Sequence, residues 1–563
     1  MKKRIFALIL TLVFVIAFIS GCGNSSDNPG SGVSNTPASG SPSTGGNSTG
    51  GNNTGGNSTG GGNTTGGNVL APEDLIAAPE NKDVRYADLI DILTQTNVVV
   101  IDPHAPGANS VTERNIYTCI YDRLVIRTPE GEYVPELATS WEISDDMQTY
   151  TFSLRKDVSF HNGEKFTAQS VIDTVMISRE NTGSLGFDAW RYVDTATALD
   201  EYTVEIVLVA PNADFLFLIQ HPGASIINKA AREADPVSGA WVGTGAYFVS
   251  EFVSGDHIVL MRNDDYWGEP AITKQLYLRH VPEVATRTII MQNNESQVCM
   301  SIEPTDMPQF VNNSDFVVYR IVSDAHIIFF NMNDSITGDL NFRLAVAHAL
   351  ERADIATVSA GDWALPASDG TIWGYSTEFR NNNIPIIPFD LDLARQCLEA
   401  SSYNGEEVEL MAGIFTTQRG GEMIQEQLAK VGINVRLNQT DVPTLSSTAL
   451  YGSDKTQMIH HMLPMTLSAA SARGAFYPGA SSNRASYNNP VVNELLDRAP
   501  TIADQKEREA LYMQIQEILA EDLPIINIYY RLQAPVSSSK IGGIIINPDQ
   551  NHDFRGIFLV LDD

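Results

Sequence analysis

Two adjacent histidines, His460 and His461, are flanked by Met458, Met462 and Met465. Imidazole and thioether groups suit nickel and copper, so one interpretation is a site for a soft metal ion or a metal chelate. The alternative is a strand and loop that line the core or an apolar cleft, because adjacent strand residues point to opposite faces. The pattern favours this second interpretation, with one histidine in a cleft and no metal site.

Motifs of common enzymes are absent from the chain after residue 68. It contains no His-Glu-x-x-His, Gly-x-Ser-x-Gly or Walker-type sequence there. Gly243-Thr244-Gly245 begins like a dinucleotide fingerprint, but Phe248 occupies the position of the third glycine, and the residues around it favour a strand. We therefore predict that these glycines form a turn, that the protein is not an enzyme and that it carries no cofactor.

The spacing of apolar residues predicts a mixed α/β chain. Residues 408–412 and 433–437 alternate between apolar and other residues, while Ile424 and Leu428 between them have helical spacing. This strand–helix–strand unit implies parallel pairing with a right-handed crossover.

Further elements are predicted on either side of this unit. Asp339 is expected to cap a helix that leaves Arg343 exposed, and residues 504–519 form another amphipathic helix. Strands are predicted over 149–154 and 203–209.

Several segments carry a specific resemblance through their order and spacing. They are Leu137–Glu142, Leu154–Gly163, Val242–Tyr247, Arg262–Gly268, Phe330–Asn333, Phe342–Arg352, Gln425–Ile433 and Ile525–Tyr530. Together they resemble the extracytoplasmic solute-binding proteins, family 5, which serve peptide and nickel ABC importers. The resemblance extends from about Val98 to the C-terminus. In that family, Trp141, Phe160, His161 and Trp267 would be packing or turn residues.

The resemblance implies an α/β, periplasmic-binding-protein-like fold of class II and of the large three-domain type, with two lobes around a hinge and a ligand cleft. Lobe 1 would comprise residues 69–128, 243–325 and 531–563, with an inserted extra domain at 129–242. Lobe 2 would comprise 326–530. Crossing strands near Ile327–Asn331 and Ile525–Tyr530 would form the hinge, and the lobes would close over the ligand.

The resemblance also implies a set of residues that border the cleft. They are Ala105, Pro106, Gly107, Asn109, Phe187, Tyr266, His461, Thr466, Arg473 and Tyr529. Arg473 could meet a carboxylate or phosphate if its loop faces the cleft, although an exposed loop position is the favoured interpretation.

Peptide-binding members fix the peptide ammonium with an Asp shortly after a Gly-Trp pair. The corresponding stretch Gln457–Thr466 lacks both Trp and Asp, and no acidic residue occurs between Asp454 and Glu494. An unpaired ammonium buried there would cost several kcal/mol. We therefore expect N-terminally blocked peptides or non-peptide solutes to bind at least as well as peptides with a free amine.

The implied function is capture of a small ligand, an oligopeptide or related solute, and its delivery to the permease and ATPase subunits of an ABC importer. The alternatives are a ligand-sensing receptor lipoprotein and a binder of nickel, a metal chelate or a non-peptide solute. A formal charge of −32 excludes nucleic acid as a natural partner. We expect a monomer.

The N-terminal residues predict export. A basic start precedes an apolar run over residues 5–19, and Ile19-Ser20-Gly21-Cys22 resembles a bacterial lipobox. Residues 1–21 would be a lipoprotein signal peptide. Residues 22–68, the lipidated Cys22 and a segment rich in Gly, Ser and Asn, would form a disordered tether. The expected location is the extracytoplasmic face of the bacterial cell membrane, held there by lipid.

If Cys22 carries the lipid, Cys22→Ala should release the protein from membranes or leave it unprocessed, since two or more acyl chains are needed for stable anchoring. Membrane fractionation with N-terminal mass analysis measures both effects. Equal membrane retention of wild type and variant, with normal cleavage in both, would exclude lipidation.

Overall fold

The computed structural model describes residues 69–70, 84–108, 110–128, 131–371, 373, 377–413, 417–440, 456–464, 468–480, 482–547 and 549–561. Four of the predicted features lie outside the described residues: the signal peptide, the tether with Cys22, Asn109 and Thr466. Among the helices in the described ranges, none combines the length and apolar character needed to cross a membrane.

The described residues form three larger sheets. Listed in spatial order, the mixed eight-stranded sheet comprises Val69–Leu70, Phe316–Tyr319, Val536–Ser538, Val298–Cys299, Leu89–Thr94, Gln275–His280, His257–Arg262 and Tyr247–Val253. The antiparallel four-stranded sheet comprises Ala138–Ile143, Thr149–Leu154, Thr203–Leu208 and Val193–Asp200. The six-stranded sheet comprises Ala364–Pro366, Ile525–Gln533, Ile321–Phe330, Met458–Pro464, Val408–Gly413 and Val435–Thr440.

Short strand pairs and helices complete the described fold. Val125–Arg127 pairs with Tyr133–Pro135, and Ile541–Gly542 pairs with Phe558–Leu559. The α-helices are Val111–Ile120, Ala168–Glu180, Leu185–Trp190, Phe215–Ile219, Lys229–Ala234, Val284–Gln292, Pro308–Val311, Leu340–Ala349, Arg352–Ala360, Leu391–Ala400, Gln418–Ala429, Ala472–Phe476, Pro490–Arg498 and Gln505–Asp522. The 3-10 helices are Pro222–Ala224, Gly239–Trp241, Gly361–Trp363, Ala469–Ser471 and Ala499–Thr501.

The predicted strand–helix–strand unit is confirmed. Strands Val408–Gly413 and Val435–Thr440 pair in parallel, and helix Gln418–Ala429 connects them. Ile424 and Leu428 are buried on the face that this helix turns to the sheet. The predicted periodicity was therefore a correct guide to packing.

The helix predicted after Asp339 is present, but its predicted exposed face is partly wrong. Helix Leu340–Ala349 is capped by the Asp339 carboxylate, which accepts from the Asn341 amide. Arg343 is buried, because its guanidinium donates to the carbonyl oxygens of Thr337 and Asp522 at 2.9 and 2.8 Å. Tertiary hydrogen bonds thus outweigh the usual exposure of a helical arginine.

The chain passes between the eight-stranded and six-stranded sheets at two adjacent places. Strand Phe316–Tyr319 is followed directly by Ile321–Phe330, and Ile525–Gln533 is followed by Val536–Ser538. Ile321 pairs with Gln533, so the two passages lie side by side. An apolar cluster that includes residues from both sheets and Trp363 packs around them. The predicted hinge segments, Ile327–Asn331 and Ile525–Tyr530, lie further along these two chain stretches, within and just beyond the six-stranded sheet.

A buried carboxylate, Asp122, gathers segments that are far apart in the chain. It accepts hydrogen bonds from Thr244 Oγ1 and Trp267 Nε1, both at 2.9 Å, and from Tyr266 Oη at 3.2 Å. Arg555, near the C-terminus, approaches it at 3.7 Å. Two of the segments that carry the family resemblance, Val242–Tyr247 and Arg262–Gly268, therefore meet at one side chain.

The glycines of Gly243-Thr244-Gly245 serve a turn, as predicted. A Cβ atom on Gly243 would lie 1.9 Å from the Ile120 carbonyl oxygen, and one on Gly245 would lie 2.4 Å from that of Cys119. His161 closes the turn, because its Nδ1 accepts from the Gly243 amide and its Nε2 donates to the Gly245 carbonyl. This use of both ring nitrogens is structural.

Gly243→Ala should lower the free energy of unfolding by about 1–3 kcal/mol, because the added methyl group overlaps a backbone carbonyl. Gly474→Ala is the matched control, since that helical glycine has nothing within 4 Å of its ideal Cβ position. Urea unfolding of both variants measures the difference. Equal stability of the two would contradict the close approach at Gly243.

Candidate functional site

One edge of the six-stranded sheet collects the carboxyl ends of its parallel strands. Val408–Gly413, Val435–Thr440 and Met458–Pro464 all run in the same direction. Pro464 pairs with Asp324, near the start of Ile321–Phe330, so this edge also faces the two passages to the eight-stranded sheet. Ligands of open α/β sheets bind outside the carboxyl ends of such strands. This edge is therefore the candidate site.

Three histidines lie on the strands that reach this edge. His326 and His460 lie on one face of the sheet, where their ring centroids are 6.0 Å apart, and His326 stacks on Tyr529 at 4.4 Å. Along this strand, Met458 packs into the core on one side of the sheet and Ile459 into the core on the other side. Because side chains alternate, His460 lies on the face of Met458 and His461 lies on the opposite face, with Ile459. The alternation predicted for adjacent strand histidines is thus observed.

All three imidazoles are buried and neutral at pH 7. Burial lowers the pKa of His460 to about 4. Burial, followed by the charges of Arg484 and His460, lowers the pKa of His461 to about 3. The pKa of His326 is lowered further, again chiefly by burial. Within the part of the chain that the structure describes, both ring nitrogens of His326 and His460, and Nε2 of His461, have no hydrogen-bond partner. Buried polar atoms are usually satisfied, so these five nitrogens call for a ligand or water.

A polar group lies where the strands pass towards the eight-stranded sheet. The buried Asp324 carboxylate accepts from Ser323 Oγ at 2.8 Å and has Arg531 Nε at 3.9 Å. Gln533 donates to the side chain of Gln550 at 3.1 Å. Burial raises the pKa of Asp324, and Arg531 opposes that effect. These contacts connect the six-stranded sheet to the C-terminal segment.

Contacts far from the passages join the four-stranded region to the helices that cover the six-stranded sheet. The Ala213 amide donates to the Pro500 carbonyl at 2.7 Å. Tyr512 Oη contacts Asp214 Oδ2 at 3.5 Å, and Arg127 lies 3.8 Å from Glu378. We call these three contacts the rim. The rim therefore connects the four-stranded region to the helices of the six-stranded region at places other than the strand passages.

Some residues implied by the resemblance lie together. Ala105, Pro106 and Gly107 form a turn in which the Gly107 amide donates to the Gly183 carbonyl at 3.3 Å. Phe187 is half-buried on helix Leu185–Trp190, whose Gly186 amide donates to the Pro103 carbonyl at 3.1 Å. The structure thus brings the 105–107 turn close to Phe187.

The other implied residues have separate environments. Tyr266 bonds to Asp122, and Tyr529 is buried against His326. Arg473 pairs with Asp497 at 2.7 Å and lies over the ring of Tyr477. His461 lies on the candidate edge. Asn109 and Thr466 are outside the described residues.

Sequence reasoning missed His326, Asp324, Arg484 and Asp214. His326 and Asp324 carry a signal that could have been used, since polar residues inside the apolar run 321–330 are conspicuous. Arg484 and Asp214 carry no such signal, since only the tertiary structure buries Asp214 and the Nε atom of Arg484.

Two sheets joined by adjacent strand passages, with a candidate site at the carboxyl ends of parallel strands, have the architecture of the periplasmic type of binding protein. The family model "Bacterial extracellular solute-binding proteins, family 5 Middle" matches residues 132–488. The chain belongs to this family, and both the predicted fold class and the predicted family are confirmed. Its members are solute-binding transport proteins, as the sequence indicated.

Relatives and solved structures agree with this assignment. The dipeptide-binding protein of Escherichia coli K12 is 24% identical over 485 residues, which cover 78% of this chain and 88% of that protein. The ABC transporter substrate-binding protein CtaP of Listeria monocytogenes has a TM-score of 0.76 at 22% identity, covering 84% of this chain and 100% of that one. NikA of Brucella suis in complex with Fe(III)-EDTA has a TM-score of 0.75 at 23% identity, covering 83% and 99%.

The rim contains a group that titrates near neutral pH. Burial raises the pKa of Asp214 to about 6, the charge of Arg508 lowers it and that of Glu378 raises it. The folded state therefore holds this proton more tightly than the unfolded chain. Asp214 adds to the free energy of unfolding as the pH falls through about 6, and this contribution is absent well above that pH.

Asp214→Asn should remove this dependence. Relative to the variant, wild type should gain about 1 kcal/mol of unfolding free energy between pH 7 and pH 5. Urea unfolding at the two pH values measures the gain, and the difference between the two proteins cancels the other carboxylates. Parallel pH profiles would show that Asp214 does not titrate in this range.

Proposed function

We propose that this protein captures an oligopeptide or related small solute between its two halves and delivers it to the permease and ATPase subunits of an ABC importer. It would act as a monomer on the extracytoplasmic face of the bacterial cell membrane, lipid-anchored through Cys22 and the 22–68 tether. The observation that carries the proposal is the pair of adjacent strand passages beside the carboxyl ends of the parallel strands.

Ligand exchange requires the rim to open. The Arg127–Glu378 contact is long, and ion pairs of this kind contribute at most about 1 kcal/mol when solvent reaches them. Opening by bending at the strand passages leaves every sheet intact. A ligand drives closure only through its better contacts in the closed state.

A metal chelate is the second candidate solute. Two neutral imidazoles, His326 and His460, have unpartnered nitrogens, and a neutral imidazole is a good ligand for nickel. Within the described ranges, no group of three His, Cys, Asp or Glu side chains could hold a metal ion. A chelate that supplies most of its own ligands fits this arrangement better than a bare ion.

Mature protein purified in detergent should carry its solute, and native mass spectrometry should detect the added mass. After removal of the solute, adding it back should reduce the radius of gyration in small-angle scattering and raise the melting temperature, because closure buries surface and binding stabilises the folded state. Arg395→Gln is the control, since its partner is the exposed Asp392 on the same helix.

If no solute copurifies, pools of peptides, metal chelates and saccharides are each added to the protein, and the radius of gyration and melting temperature are measured again. The expected result is a smaller radius with one pool and no change with the others. An unchanged radius and melting temperature with every pool would refute the proposed function.

A further inference from the structure

We propose that Arg484 and His461 form a carboxylate-binding subsite at the candidate edge, so that the captured solute carries a carboxylate. This inference rests on the proposed function. It concerns the face of the six-stranded sheet opposite to His326 and His460.

Arg484 reaches the subsite from the far end of the sheet. The next residue, Ala485, accepts from the Met332 amide at 2.9 Å, just beyond strand Ile321–Phe330. From there the guanidinium lies 5.4 Å from the centre of the Phe329 ring and donates to the Met462 carbonyl at 3.4 Å. Its side chain therefore extends along the sheet towards the carboxyl end of Met458–Pro464.

No carboxylate of the described residues pairs with Arg484. Its Nε is buried without a hydrogen-bond partner, and the Met462 carbonyl bond is long. Burial also lowers the pKa of this guanidinium, with no opposing acid. In contrast, Arg380 forms an ion pair with Asp369, and Arg473 forms one with Asp497, with nitrogen–oxygen distances of 2.8 and 2.7 Å. Arg484 is half-buried, and a partly desolvated guanidinium without a counter-charge favours an anion as its partner.

His461 supplies a second unused donor. Its Nδ1 accepts from the Met462 amide at 2.6 Å, which places the hydrogen of the neutral ring on Nε2. That Nε2 is buried and has no partner. Since Arg484 bonds to Met462, the residue after His461, the two unused N–H groups lie on the same stretch of strand.

The charge of the pair matches a monoanion. A guanidinium and a neutral imidazole carry one positive charge and offer N–H donors only, as a carboxylate requires. The local sequence keeps this charge uncompensated: residues 455–493 contain no Asp or Glu, although 68 of the 563 residues are acidic. An acidic side chain in this segment would occupy the subsite itself.

The test compares two libraries of N-acetylated tripeptides, one with a free C-terminal carboxylate and one with a C-terminal amide. By calorimetry, wild-type mature protein should prefer the free-acid library by at least tenfold, about 1.4 kcal/mol. Arg484→Gln should reduce this preference below about threefold without weakening the amide library. Arg484→Lys should keep part of the preference, and Arg395→Gln, which removes a surface ion pair with Asp392, should keep all of it.

A second measurement needs no peptide. Benzoate should raise the melting temperature of wild type more than chloride at equal ionic strength, and Arg484→Gln should abolish the difference. Binding of both libraries without preference, retention of the preference in Arg484→Gln, or no specific benzoate effect on wild type would each overturn the subsite. Failure of both libraries to bind, together with a benzoate effect lost in Arg484→Gln, would refute peptide capture and still support the subsite.

Discussion

The buried carboxylate of Asp122 is the constraint around which the N-terminal half of the fold is built. A carboxylate without solvent must be bonded, and here three neutral donors and one cation converge on it. Burial and the nearby Glu136 still raise its pKa to about 6. Glu136 itself is held by Arg123 and Arg555, which overcome its burial and lower its pKa. These contacts connect the residues after the first helix with the segments around Thr244 and Trp267 and with the C-terminal segment.

The contacts of Asp122 explain why the sequence predicted the family, whereas the residues of the candidate site were harder to predict. Thr244, Trp267 and the glycines beside Thr244 are required by contacts with fixed geometry, so their types and spacing identify the family. The strand–helix–strand unit was also predictable, because the spacing of its apolar residues follows from the local secondary structure. Arg343 was misjudged because its partners are backbone carbonyls that no sequence pattern reveals.

The candidate site depends on another kind of information. Its side chains come from strands that are distant in sequence and adjacent only through antiparallel register, as with His326 beside Met462 and Tyr529. Arg484 enters from a loop whose sequence resembles ordinary polar surface. The missing acidic clamp was visible in the sequence. That Arg484 pairs with no carboxylate among the described residues could be recognised only from the contacts in the structure.

The adjacent strand passages have a mechanical consequence. Ile321 and Gln533 are paired across the two strands, so the two passages form one hydrogen-bonded two-stranded ribbon and are not independent linkers. A hydrogen-bonded ribbon flexes readily normal to its plane but resists shear within it, because shear would break the ladder. A bend normal to the ribbon would then be the favoured relative motion of the two halves. Partner proteins at the membrane would then meet two well-defined outlines of the molecule, and a loaded carrier could be distinguished from an empty one by shape alone.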